Sequence, residues 1–194
     1  MGTGRLEAFT DGVIAIIITI MVLELRPPHG TTLADLRPVV PALLSYVLSF
    51  VFLGIYWNNH HHMMHVTRRV SGAVLWANLL LLFWLSLVPF TTAWMGENHV
   101  APLPTALYGA VLLLAGFSYL ILQAAIVRLE GPGSTLATAI GHDLKGKLSA
   151  LGYALGIPLA FVREWLAWAI YVAVALMWLV PDRRIERVIG SDGQ

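Results

Sequence analysis

Long apolar runs separated by short polar breaks constrain this chain more than any other feature of its sequence. A helix needs about 20 largely apolar residues to cross the hydrocarbon core of a bilayer, and roughly 17 at the short end. The runs that approach or exceed this length are about Leu6–Leu25, Pro38–Trp57, Val70–Trp94, Thr105–Val127, Leu148–Val162 and Trp165–Val180. The pattern predicts an all-α membrane protein, with six transmembrane helices in residues 1–181, no internal repeat, and a short cytoplasmic tail in residues 182–194.

The scarcity of charge supports this interpretation. The chain is 58% hydrophobic and 12% charged, whereas a soluble domain is typically about 45–50% apolar and about 25% charged. Lipid solvates an apolar exterior that water would not. The net charge of +1 gives no reason to expect a nucleic-acid partner, and the absence of cysteine excludes disulfides and thiolate metal sites.

The break between the fifth and sixth runs is only two residues long, Arg163–Glu164. Each of these runs has only about 15–16 residues, which is near the short limit for a span. The sequence therefore allows either two spans or one bent helix at this point.

Basic residues are distributed unequally between the two sides of a six-span arrangement. Nine of the 12 lie on one side: Arg5, Arg68, Arg69, Arg128, Lys145, Lys147, Arg183, Arg184 and Arg187. The remaining three, Arg26, Arg37 and Arg163, lie on the other side. Because cytoplasmic loops carry an excess of Lys and Arg, this asymmetry predicts a multi-pass protein of the cell membrane with both termini in the cytoplasm.

The first apolar run carries the most polar groups at its start, and polar groups inside a bilayer usually mark function or helix packing. On a helix, Ile16, Ile20 and Leu23 follow an i, i+4, i+7 pattern and share one face, with Thr19 beside it. Asp11 points away from this face and needs polar partners elsewhere. On spacing alone, the aliphatic face could simply meet lipid or a neighbouring helix.

Three motifs resemble those of a known family. Arg5-x-x-x-Phe9-Thr10-Asp11 is similar to the R-x-x-x-F-S-D signature of the endosomal and lysosomal potassium channel family, with Thr10 in place of the usual serine. Threonine keeps the hydroxyl group and adds a methyl group, so the change is mild.

The other two motifs lie in the second and third runs. The stretch Trp57-Asn58-Asn59-His60-His61-His62 resembles the family's W-x-x-H-H segment. Trp76-x-Asn78-Leu79-Leu80, followed by Pro89-Phe90, resembles its third helix. The resemblance is clear to about Trp94 and rests only on hydropathy beyond that point.

The resemblance implies a passive, weakly potassium-selective channel without the usual carbonyl filter, and no T-V-G-Y-G run occurs here. A chain with one six-helix unit would form a homotetramer in the lipid bilayer, with the first helix of each subunit lining the pore and K⁺ as the permeant ion. No cofactor, metal or enzymatic activity is implied. The family pattern would make Ile16 the constriction, Ile20 and Leu23 the next narrow layers, and Thr19 a pore-lining hydroxyl.

The resemblance also implies a network that supports the first helix. Its candidate members are Arg5, Phe9, Thr10, Asp11, Trp57, His61, Trp76 and Asn78. Because a buried carboxylate is costly unless it is paired or hydrogen-bonded, we expect Asp11 to bind Arg5, Asn78 or a histidine.

Other functions are compatible with parts of the sequence. His61 and His65 have the i, i+4 spacing that lets two imidazoles share a metal ion, but the remaining histidines do not extend that pattern. A secondary transporter usually has inverted repeats and broken helices, and the runs show neither convincingly. A proton-conducting protein would need a chain of titratable groups, and the first helix offers only Asp11 and Glu24. A purely structural membrane protein is the remaining alternative.

Overall fold

The computed structural model describes residues 2–140 and 143–179. Within these ranges the helices are α1 (Thr3–Leu23), a 3₁₀ helix (Leu33–Val39), α2 (Val40–His65), α3 (Gly72–Ser86), α4 (Val88–Glu97), α5 (Pro102–Glu130), α6 (Thr135–Ile140), α7 (Leu144–Leu159) and α8 (Glu164–Leu179). The predicted all-α class is confirmed. The predicted tail, residues 182–194, lies outside the described residues.

Four helical segments in the described ranges are long and apolar enough to cross a membrane: Thr3–Leu23, Leu33–His65, Gly72–Glu97 and Pro102–Glu130. They correspond to the first four predicted runs. The second differs most from its prediction, because α2 continues to His65 instead of ending at Trp57. The histidine cluster therefore extends this helix by about two turns and does not form a loop after it.

The third predicted run consists of two helices, α3 and α4, which meet at Leu87. Pro89 follows in the first turn of α4, where its missing N–H cannot continue the hydrogen-bonding pattern of α3. The Thr92 hydroxyl donates to the carbonyl of Val88 at 2.7 Å, which stabilises the new start. The segment is therefore one apolar span with a proline-dependent break.

Helices α7 and α8 form an antiparallel hairpin. The Trp178 indole N–H, near the end of α8, donates to the Ser149 hydroxyl near the start of α7 at 2.7 Å. Of the two arrangements that the sequence allowed, the structure has two helices, separated by a turn at residues 160–163. Each has 16 residues and is about 24 Å long, shorter than the hydrocarbon core of about 30 Å.

Buried side chains form two clusters. One joins α1 to the second half of α2, to α3 and to the middle and second half of α5, with Val88 of α4 and Leu136 of α6. The other joins α4 and the first halves of α2 and α5 to the α7–α8 hairpin. Tyr171 lies in the second cluster against Gly109 and Gly156, where a Cβ atom would overlap its ring or hydroxyl. Its hydroxyl donates to the carbonyl of Thr105 at 3.3 Å.

Candidate functional site

Helix α1 has a buried face and an uncovered face. The buried side chains are Leu6, Thr10, Ile14, Ile17 and Met21, with spacings of three and four residues that place them on one side. They pack against α2, α3 and α4. The same periodicity leaves the opposite side of α1 without cover from its own subunit.

The side chains predicted to form a constriction lie on this uncovered face. Ile16, Ile20 and Leu23 are 59%, 42% and 81% exposed in the isolated subunit. Large branched alkyl groups on the outside of a subunit must meet lipid, another subunit or a pore. The subunit thus presents an aliphatic stripe along the second half of α1.

The Thr19 hydroxyl lies on the same exposed side. It donates to the carbonyl of Ile16, one turn back on the helix, at 2.9 Å. This bond uses the hydroxyl proton and leaves the oxygen lone pairs available. Thr19 can therefore accept a hydrogen bond from water, or contact a cation, from the uncovered face.

A buried chain of hydrogen bonds fastens the first half of α1 to α3 and α2. The amide nitrogen of Asn78 donates to the Thr10 hydroxyl oxygen at 2.9 Å. The amide oxygen of Asn78 lies 2.9 Å from His60 Nε2, which acts as the donor when Asn78 has this orientation. All three residues are at most 1% exposed. We call Thr10, Asn78 and His60 the buried latch.

Asp11 has a different partner from those we expected. Its carboxylate accepts a hydrogen bond from the Trp57 indole N–H at 2.9 Å. The expected pairing with Arg5, Asn78 or a histidine is therefore wrong. The Asn78 amide is directed to Thr10 instead. Asp11 is half-buried at the edge of the bundle, which allows a single neutral donor and solvent to satisfy it.

A second contact lies one turn before Asp11. The Glu7 carboxylate is 2.8 Å from His61 Nδ1, and the His61 ring stacks on that of Trp57 with centroids 6.1 Å apart. Two motif residues of α2 therefore contact two acidic residues of α1. Glu7 and His60 were not among the predicted members, although Glu7 lies one turn from Asp11 and His60 lies beside His61 in sequence.

Three predicted members lie apart from these contacts. Trp76 is 75% exposed on α3, and Phe9 is 53% exposed on α1. Arg5 is exposed and makes no side-chain hydrogen bond or ion pair within the part of the chain that the structure describes. Sequence proximity thus identified the motif but did not separate its inward-facing members from its outward-facing ones.

The histidines of α2 do not form a metal site within one subunit. The His61 ring lies 5.7 Å from that of His62 and 6.3 Å from that of His65, measured between centroids. No group of three or more His, Asp or Glu side chains in residues 2–140 and 143–179 is arranged to hold a metal ion.

Charged residues also lie at the opposite end of α1. Arg26 forms an exposed ion pair with Glu97 of α4, with an N–O distance of 3.4 Å. The thioether of Met21 lies 4.0 Å from the Thr92 hydroxyl, which is a weak contact at best. Strong polar contacts between α1 and the rest of the membrane-embedded bundle are therefore concentrated in the first half of the helix.

The chain is similar in sequence and in structure to known potassium channels. Residues 5–89 match the family model described as endosomal/lysosomal potassium channel TMEM175. The chain is 51% identical over 187 residues to a potassium channel from Chryseobacterium sp. (strain P1-3), covering 96% of this chain and 97% of that protein. It is 33% identical over 190 residues to a potassium channel from Streptomyces collinus, covering 91% of each. The crystal structure of a lysosomal potassium-selective channel TMEM175 homolog from Chamaesiphon minutus is similar with a TM-score of 0.79, at 28% identity over 92% of this chain and 96% of that one.

Proposed function

This chain belongs to the TMEM175 family of ion channels, and from that premise we propose that it is one subunit of a passive, weakly selective potassium channel. The relatives that match nearly its whole length are named potassium channels, and the solved relative is described as potassium-selective. The activity is permeation, which requires no cofactor and no catalytic residue.

The observation that carries the proposal is the uncovered aliphatic face of α1. In a homotetramer, four copies of α1 would meet about a central axis and enclose a passage. Ile16, Ile20 and Leu23 would then face that passage from each subunit, which accounts for their exposure in the isolated chain. The buried latch supports this orientation, because it fixes which side of α1 faces inward.

The aliphatic rings would act as a hydrophobic constriction. A narrow apolar passage excludes water by dewetting and can therefore act as a gate. An ion passes only if the ring widens or the ion sheds part of its hydration shell. Potassium holds its water less tightly than sodium does, so the barrier is lower for potassium. Alkyl groups cannot replace the lost water oxygens, which limits the selectivity.

Thr19 would partly offset the weak selectivity of the alkyl rings. Its hydroxyl proton is directed to its own helix, so the oxygen lone pairs would face the passage. Four such oxygens between the Ile16 and Leu23 layers would supply weak coordination where the apolar rings supply none. We therefore assign Thr19 a contribution to potassium preference, and Ile16 the principal role in limiting ion flow.

Arg5, Phe9 and Asp11, with Trp57, His61 and Trp76, would support the pore without contacting the ion. The contacts of Asp11 with Trp57 and of Glu7 with His61 fix the start of α1 against α2. The exposed residues of this group, Phe9 and Trp76, would be available to neighbouring subunits or lipid.

For the complete subunit we propose six spans, with the α7–α8 hairpin crossing as a pair. Both termini would then lie in the cytoplasm, because nine of the 12 basic residues would be on that side. The channel would reside in the cell membrane. The short length of α7 and α8 would be accommodated by local thinning of the bilayer or by packing against other subunits.

The test combines a measurement of ion flux with a measurement of the number of subunits in the assembly. Purified protein in liposomes should be a tetramer and should pass K⁺ down its gradient with no coupling ion, at a higher rate than Na⁺. Electrogenic K⁺ flux that required an opposing proton or Na⁺ gradient would instead indicate a transporter. A monomeric protein, or liposomes as tight as empty ones, would contradict the channel proposal.

A further inference from the structure

A cavity separate from α1 lies between α2, α5 and the α7–α8 hairpin, with a volume of about 110 Å³. Tyr56 of α2 and Tyr119 of α5 meet edge to face in this region, with ring centroids 6.2 Å apart. Their bulk holds the two helices apart and leaves a gap beside them. Other aromatic walls are Phe52, Phe117 and Trp178.

The polar atoms of the two tyrosines are already bonded within the protein. The Tyr119 hydroxyl donates to the backbone carbonyl of Asn59 at 3.2 Å, and the Tyr56 hydroxyl lies 3.5 Å from the carbonyl of Leu112. The side-chain amide of Asn59 donates to the carbonyl of Ile55 at 2.9 Å. The aromatic rings, and not the hydroxyls, therefore remain to contact an occupant.

Several polar groups at the hairpin end of the cavity are also bonded within the protein. The Trp178 indole N–H donates to Ser149, whose own hydroxyl donates to the carbonyl of Lys145 at 2.8 Å. The Asp143 carboxylate accepts from the backbone N–H of Gly146 at 3.0 Å. Gln123, a hydrogen-bond partner of Tyr119, and Tyr153 also line the cavity. A buried water typically needs two to four polar partners, and the bonds among these wall groups reduce the number that remain for one.

We propose that this cavity holds a segment of hydrocarbon chain from a lipid of the surrounding bilayer. An unfilled apolar void deprives its walls of dispersion contacts, and liquid hydrocarbon next to it can restore them. Phe117 and Leu120 line the cavity and are also exposed on the outside of α5, so the cavity reaches the outer surface of the subunit.

Size and charge define the ligand further. A cavity of about 150 Å³ holds a benzene-sized molecule, so this one holds roughly four or five methylene groups and not a whole lipid. The polar end carries the Asp143 carboxylate, and the Lys145 ammonium lies 5.6 Å from the centroid of the Trp178 ring. With charges of both signs among the described residues at this end, the site recognises the acyl chain and does not select the headgroup charge.

Gly116 offers a direct way to fill the cavity. It lines the wall, and a Cβ atom there would approach only the Tyr56 hydroxyl, at 3.7 Å, which is an ordinary contact. Gly116→Leu should therefore occupy the space with a branched side chain. Ala124→Leu is the matched control, because it adds the same side chain to an exposed position of α5 outside the cavity.

The experiment measures tryptophan fluorescence of the full chain in liposomes with phospholipids brominated on the acyl chain. The contribution of Trp178 is the difference between each protein and its Trp178→Phe counterpart. We expect brominated lipid to quench this contribution, Gly116→Leu to reduce the quenching at least twofold, and Ala124→Leu to leave it unchanged. None of the described residues lining the cavity belongs to α1, so the outcome is independent of ion conduction.

Equal quenching of Trp178 in the Gly116→Leu and parent proteins would overturn the proposal. So would strong quenching by water-soluble acrylamide in place of the brominated chains, because that result would mean a hydrated cavity. If Gly116→Leu does not fold, Ala150→Leu fills the cavity from α7 and has the same expected result. The comparison of the two quenchers on the parent protein needs no cavity substitution, and quenching by acrylamide without quenching by brominated chains would overturn the proposal by itself.

Discussion

Replacing Thr10 by valine tests the buried latch most directly. The substitution keeps the shape of the side chain but removes the hydroxyl that accepts a hydrogen bond from Asn78 at 2.9 Å. Thr10 and Asn78 are both 0% exposed, so neither water nor lipid can take the place of the lost partner. The amide N–H would remain buried without an acceptor.

The expected loss of stability follows from two known ranges of hydrogen-bond free energy. A buried donor left unsatisfied costs about 1–3 kcal/mol, whereas hydrogen bonds between membrane helices average about 0.6 kcal/mol and reach about 1.7. Complete enclosure by protein places this bond near the upper end of the second range, and we expect a loss of about 1.5 kcal/mol. Asn78→Leu removes the bonds to Thr10 and His60 together and should destabilise the subunit by about 3 kcal/mol.

The assay is reversible unfolding of the purified protein in mixed micelles, followed by circular dichroism. The double variant Thr10→Val/Asn78→Leu should be no less stable than Asn78→Leu alone, because the Thr10 hydroxyl has then already lost this partner. The control is Ser86→Ala, at an exposed α3 hydroxyl that donates to the carbonyl of Phe83 at 2.7 Å within its own helix. It should change the stability by less than about 0.5 kcal/mol. If Asn78→Leu were as stable as this control, the latch would not hold α1.

The remaining predictions concern the pore, its support and the second core. Ile16→Asn should wet the constriction and raise K⁺ flux into liposomes while reducing the preference over Na⁺; unchanged flux would remove Ile16 from the gate. Thr19→Val should lower the K⁺ to Na⁺ permeability ratio with tetramer yield unaffected, and an unaltered ratio would exclude its hydroxyl from selectivity. Asp11→Ala should reduce the yield of tetramer on size-exclusion chromatography, whereas an intact tetramer with altered ion preference would reverse that assignment. Gly109→Ala should lower the free energy of unfolding by about 1–3 kcal/mol through overlap with Tyr171, and parent-like thermal stability would contradict the close packing.

The sequence predicted the helices of this protein better than it predicted the contacts between them. Apolar runs locate the helices, because hydropathy acts locally along the chain. The break between α3 and α4 at Leu87 was not predicted, although Pro89 follows it by two residues. The division of α1 into an aliphatic face and a polar side also follows from residue spacing alone. These features need no knowledge of neighbouring helices.

The contacts of the support network could not be derived in this way. Thr10 and Asn78 are 68 residues apart, and rotation of α1 by one residue, about 100°, would turn Asp11 toward the side that Thr10 occupies. Which neighbour Asp11 reaches depends on how α1 and α2 are rotated about their axes, and that rotation is set by the packing of Leu6, Ile14 and Ile17. The cavity beside Tyr56 could not be predicted from the sequence either, because it also depends on how the helices pack.

The placement of the latch in the first half of α1, near its middle, has a mechanical consequence. A rigid helix fixed near Asp11 would pivot there, and displacement would grow with distance from the pivot. Ile16 lies about 7 Å along the axis from Asp11 and Leu23 about 18 Å, so a tilt of about 5° would shift the first by roughly 0.7 Å and the second by roughly 1.6 Å. Small rotations of α1 would thus move the Leu23 layer more than twice as far as the Ile16 layer, and the Ile16 ring, which lies closest to the pivot, would limit the pore radius.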